Sequence, residues 1–198
     1  GRNFEYFSED PYLTGELAAS YVKAIESVGI GTSVKHFFAN NQETNRLFID
    51  SIVDKRALHE IYFKAFKRVV KEKPASVMAS YNKINGFYGT EHPYIEDILR
   101  KKWNYDGVVV SDWGAINDRV KALVAGCDLQ MPTANNYHST KIKEALINNQ
   151  SLHQYIDKSS QRIIDMMHKY QIKNKVEIDF KKDHLLAEEI AKESMVLL

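Results

Sequence analysis

The stretch "GVVVSDWGA", residues 107–115, decides the fold. Three consecutive valines after a glycine read as a strand buried on both faces, as in a parallel sheet. The strand then ends on Ser111, Asp112 and Trp113. A carboxylate and an indole thus stand where the strand meets its loop, the place where βα architectures gather functional groups.

Working outward, "TSVKHFF" (32–38), "SVMASY" (76–81) and "CDLQM" (127–131) have the same character. Each is short, rich in β-branched, aromatic or other apolar residues, and bounded by turn formers. Helical periodicity fills the gaps. "LAASYVKAIESVG" places Leu17, Tyr21, Ile25 and Val28 on one expected face. "DKRALHEIYFKAFKRVVKEKP" repeats Leu58, Tyr62, Ala65 and Val69. "HPYIEDILRKKWN" has Pro93 in a first turn and Ile95, Ile98 and Leu99 on one side. "INDRVKALVAG" stops at Gly126, a natural helix terminator. "SLHQYIDKSSQRIIDMMHKY" has Ser151 as its expected cap, with Leu152, Tyr155, Ile156, Ile163 and Met167 inward.

Alternating strands and helices predict an α/β fold with a parallel sheet. About four βα units are countable, against roughly 250 residues for a closed eight-stranded barrel. The expectation is therefore an incomplete barrel, its C-terminal half, with an open doubly wound sheet as the competitor. The chain opens on "GRNFEYF" and closes on "SMVLL". We expect an interior segment of a longer protein, divided into 1–172 and a linker region, 173–198, that begins something new.

Composition removes several functions. The 198 residues are 44% apolar and 27% charged, with a formal net charge of +1. That balance fits a globular domain and gives no electrostatic footprint for nucleic acid or an anionic membrane. No apolar run approaches the ~20 residues of a membrane span. Cys127 is the single cysteine, expected to be a small buried residue. A reducing compartment is compatible, and the cytoplasm is favoured. No Gly-rich phosphate loop and no HExxH metal motif occurs, so no cofactor is expected.

The strand ends carry Lys35 and His36, then Tyr81, then Asp112 and Trp113. Charged planar donors and acceptors beside aromatic rings suit a neutral polyol. Each residue alone also has a bland reading. Asp112 could cap the next helix, Lys35 and His36 could sit in a solvated loop, and Tyr81 and Trp113 could be core.

Six ordered motifs resemble the family 3 glycoside hydrolases, β-glucosidase branch. They are "GRNFEYFSEDPYLTG", "KHFFANNQETNR", "RALHEIY", "VMASYNKING", "VVVSDWGAINDRV" and "AGCDLQMP". "HLLAEEIAKESMVLL" resembles the approach to that family's second, α/β sandwich domain. The resemblance implies a TIM-like barrel and a retaining double displacement on terminal β-D-glucosides. It makes Asp112 the nucleophile and Arg2, Lys35, His36, Arg46, Tyr81 and Trp113 the sugar-binding residues. Retention requires a second, protonated carboxyl about 5–5.5 Å from the nucleophile. In this branch that glutamate belongs to the second domain, so the isolated chain is expected to be inactive. Glu43 is the one nearby acid on a strand-end loop, and it is expected to be structural. A β-xylosidase, an α-L-arabinofuranosidase or a non-catalytic carbohydrate-binding segment are the alternatives.

Overall fold

A computed structural model describes residues 2–171 and 177–197. Its centre is a parallel sheet of β1 (Ser33–Phe37), β3 (Ser76–Ala79) and β6 (Val108–Ser111), in that spatial order. Leu129 extends it as a fourth, parallel position beside Val110. Ser111 N–H donates to the Leu129 carbonyl at 2.9 Å, and Leu129 N–H donates to the Val109 carbonyl at 3.1 Å. Each successive strand adds on the same side of the last. A doubly wound sheet reverses direction at a switch point, whereas a barrel does not. The described strands are an arc of a TIM-like barrel, as the valine run and its neighbours predict.

Every residue of β6 is buried, because it lies between β3 and the Leu129 segment and α6 packs on the sheet. Helix α1 (Pro11–Ser27) begins at Asp10, whose carboxylate accepts from Tyr12 N–H. The helix over residues 55–72, α2, contains a π turn at Leu58–Tyr62. A second π segment forms α3, Ile95–Lys102. Then come α4 (Arg119–Ala125), α5 (Tyr137–Asn148), α6 (His153–Lys169) and α7 (Phe180–Ser194). Gly126 closes α4 at φ 103°, a left-handed position that favours glycine. There a side chain would also meet Ile95 Cγ2 at 3.1 Å.

The core lies between the sheet and α2. Phe37 and Phe38 at the end of β1 meet Phe63 of α2 with ring centroids 6.0 and 4.8 Å away. Trp103 closes on both Phe37 and Phe63. Such aromatic pairs contribute about 0.5–1.5 kcal/mol beyond area burial. They fix the strand end whose preceding residues, Lys35 and His36, face the rim. A register shift between Lys35 and Phe37 marks this point, and the Lys35–His36 and Phe37–Phe38 peptides are cis, as is Met131–Pro132.

A small second sheet was not expected. It joins β2 (Asp50–Ser51) to β4 (Lys83–Ile84), and β4 to β5 (Phe87–Tyr88). Asn85 and Gly86 turn the β4–β5 hairpin with φ 49° and 90°, as a type I′ turn demands.

Three helix faces differ from expectation, that of α6 only at Met167, which is exposed. In α1 the buried residues are Gly15, Ala19 and Val22. Leu17, Tyr21 and Val28 are exposed. Close approach selects the small residues: a Cβ on Gly15 would lie 3.3 Å from Ala65 Cα and 3.2 Å from Arg68 Cβ. In α2 the π turn adds a residue, so burial passes from Leu58 to Phe63 and Tyr62 is only partly covered. Ser151 is likewise not the cap of α6. Asn149 accepts from Ser151 N–H and starts the short turn that leads into it. The expected division at 172 and 173 falls outside the described residues. Beyond it α7 buries no side chain. Among the described residues, no helix is long and apolar enough to cross a membrane.

Candidate active site

Asp112 is 8% exposed at the C-terminal end of β6. Its backbone is held twice. Asp112 N–H donates to the Ala79 carbonyl at 3.2 Å, and Ala115 N–H returns to the Asp112 carbonyl at 3.1 Å. Gly114, at φ 77°, allows that tight turn. The carboxylate is divided in its contacts. Oδ1 accepts from Trp113 N–H at 2.7 Å. Oδ2 lies 3.3 Å from His36 Nε2.

Around it the loops after β1, β3 and β6 converge with the N-terminal loop. A cleft of about 300 Å³ is lined by Arg2, Phe4, Glu5, Lys35, His36, Glu43, Arg46, Tyr81 and Asp112. Six of the seven residues singled out from sequence therefore share one cavity. Trp113 is the exception: it is 53% exposed and does not line this cleft. Larger hollows exist elsewhere, but they gather fewer charged groups. Chemistry, and not size, marks the site.

The charges are tightly paired. Arg2, buried on an exposed-looking loop, binds Glu5 at 2.7 Å, and it also contacts Glu43. Lys35 Nζ binds the other Glu5 oxygen at 2.6 Å. Arg46 binds Glu43 at 2.5 Å and lies over the Tyr81 ring, 4.6 Å from its centroid. Asn82 fixes the neighbouring loops by donating to the Ala39 carbonyl and to Ser51 Oγ at 3.1 and 3.0 Å.

Burial, then the Arg2 charge, pushes His36 down to about 4, outweighing Asp112, so the ring is neutral at neutral pH. Burial raises Tyr81, and the adjacent Asp112 charge and hydrogen bond raise it further, so its phenol stays protonated. For Glu5, burial acts upward, but the Lys35 hydrogen bond and the charges of Arg2, His36 and Lys35 outweigh it and hold it low.

Sequence reasoning passed over Glu5 and Tyr6. Both stand in "GRNFEYF" and reach across about 30 residues to β1. Their neighbour Arg2 was the available signal. Cys127 is fully buried and its thiol is pushed up to about 12 by burial, which fits a packing role. Among the described residues no cluster of metal-binding side chains occurs.

A parallel βα arc that gathers paired cations, a phenol and a carboxylate at its C-terminal rim has the layout in which barrel enzymes place their active sites. Residues 1–166 match the glycosyl hydrolase family 3 N terminal domain, and the chain belongs to that family. The thermostable beta-glucosidase B of Acetivibrio thermocellus is 48% identical over the whole of this chain, which spans 27% of that protein. An exo-alpha-(1->6)-L-arabinopyranosidase of Bifidobacterium longum is 42% identical over the same span. The crystal structure of the Bifidobacterium adolescentis GH3 beta-glucosidase superposes with a TM-score of 0.92 at 42% identity. This chain covers 30% of that one. The beta-glucosidase 3B of Thermotoga neapolitana, solved in complex with glucose, gives 0.91 at the same identity. The chain thus spans about a quarter to a third of the length of these relatives.

Proposed function

We propose that this chain carries the nucleophile half of a retaining exo-β-glucosidase that releases terminal β-D-glucose. The observation that carries the reading is the convergence of Asp112, His36, Tyr81, Lys35 and two arginines in one cleft. Asp112 attacks the anomeric carbon through Oδ2 and forms a covalent glycosyl-enzyme, which water then hydrolyses. Arg2, Lys35, His36 and Arg46 bind sugar hydroxyls with charge-assisted or neutral hydrogen bonds that tighten as the ring flattens. Tyr81 approaches the reacting ring, and Trp113 lines the outer part of the glucose pocket.

The leaving group needs a protonated acid. Neither other carboxylate of the cleft suits this role. Glu5 is held low and binds Arg2 and Lys35, and Glu43 binds Arg2 and Arg46. The acid therefore comes from elsewhere in the complete gene product, and the 198-residue chain alone turns over no glucoside. Residues 173–198 are read as the linker into a second domain.

Incubation of the complete gene product with a 2-deoxy-2-fluoro-β-D-glucoside should leave an adduct on the peptide containing Asp112. An adduct on any other carboxylate overturns the assignment. The arabinopyranosidase relative favours a second reading, in which the sugar lacks the exocyclic C6 group. Comparing kcat/KM for aryl β-D-glucoside and aryl α-L-arabinopyranoside separates the two.

A further inference from the structure

Tyr6 has no part in the reaction as proposed, yet it touches His36 twice. Its hydroxyl oxygen lies 2.7 Å from His36 Nδ1. The His36 backbone N–H donates to the same oxygen at 3.3 Å. At the far side of the ring, Nε2 has three charged neighbours, of which Glu5 Oε2 is the outermost at 3.7 Å. Arg2 approaches at 3.1 Å and Asp112 Oδ2 at 3.3 Å.

A neutral imidazole has one donor nitrogen and one acceptor nitrogen, and a guanidinium can only donate. Burial and the Arg2 charge keep His36 neutral. The Arg2 hydrogen bond therefore makes Nε2 the acceptor and leaves the ring proton on Nδ1. The Tyr6 oxygen receives it there.

We propose that Tyr6 is a positioning residue that holds His36 in the Nδ1–H tautomer, so that Nε2 presents a lone pair between Arg2 and Asp112. The consequence concerns Oδ2. Oδ1 is already engaged by Trp113 N–H. In the opposite tautomer Nε2–H would donate to Oδ2 and occupy the second oxygen as well. With the lone pair outward, His36 leaves Oδ2 open to attack, and Arg2 has a neutral anchor on that lone pair until an incoming sugar hydroxyl takes its place. The catalytic part of this inference rests on Asp112 being the nucleophile; the tautomer does not.

The test uses the complete gene product with ¹⁵N-labelled histidine at neutral pH, with His36 assigned by its loss in His36→Asn. Wild type should show a protonated Nδ1 and an unprotonated Nε2. Tyr6→Phe should admit the Nε2–H form and lower kcat about tenfold, with a smaller change in KM. A protonated Nε2 in wild type overturns the proposal, and so does an unchanged tautomer in Tyr6→Phe. Should that variant fail to fold, the wild-type spectrum decides alone. An adduct on Asp112 together with a wild-type Nε2–H overturns the role of Tyr6 and spares the nucleophile. An adduct elsewhere together with the tautomer switch overturns the nucleophile and spares the hold of Tyr6 on His36.

Discussion

Deleting the carboxylate of Asp128 should loosen β6, the strand that delivers Asp112, without touching the cleft. Asp128 is 3% exposed. Its Oδ2 accepts from Arg100 at 2.6 Å and from Val109 N–H at 2.8 Å. Its Oδ1 accepts from Arg162 at 2.9 Å. In Asp128→Ala, Arg100 would remain almost fully buried with only backbone carbonyls as partners. Removing one member of a buried ion pair costs about 3–5 kcal/mol, because the other charge is stranded. At about 1.4 kcal/mol per decade, that is two to nearly four orders of magnitude in local opening. Hydrogen exchange of the 107–115 peptide in the complete gene product reads this directly, since Val109 N–H also loses its acceptor. Less than a tenfold acceleration would refute the argument. The pair Arg100→Met with Asp128→Leu should recover part of the protection, because no buried charge is then stranded, while Val109 N–H stays without its acceptor.

Asp112→Asn should lower kcat of the complete gene product about 10⁴-fold or more and abolish fluoroglucoside labelling; retained labelling contradicts it. Acidification should destabilise this domain. His36 and His92 both have folded values of about 4, each set mainly by burial. The unfolded chain binds protons near 6.5, so stability is full above that value and falls as pH drops from about 6.5 to about 4, by about 2–3 kcal/mol per histidine. Melting curves across that range should show the loss, and His92→Gln should flatten it. Trp113→Ala, at an exposed position, should raise KM and leave stability within about 0.5 kcal/mol; a large fall in melting temperature would instead make Trp113 a packing residue.

The parts of the fold visible in sequence were those with a local physical signature. The valine run marked β6, Gly126 marked the end of α4, and Pro93 preceded α3. Features set by partners were not visible. The inward face of α1 depends on how closely α2 approaches, which favours Gly15 over Leu17. Helix α5 buries no residue completely, so it showed no stripe. The Asn85–Gly86 hairpin was legible and was passed over. At the site, strand ends pointed to Lys35, His36, Tyr81 and Asp112. Glu5 and Tyr6 stayed hidden because their partners are about 30 residues away and only folding brings them together.

The π turn in α2 means that this helix carries a spare residue. Phe63 N–H bonds to the Leu58 carbonyl five residues back, and the intervening His59, Glu60 and Ile61 face solvent. Removing one of these three would let the turn close in ordinary α geometry, with Leu58 and Phe63 still on one side. A one-residue deletion between Phe63 and Val69 would instead swing every following side chain of α2 through about a quarter turn and carry Val69 and Val70 off the core. Residues 59–61 are thus the place where this helix can absorb a change in chain length while the aromatic platform beneath the cleft stays where it is.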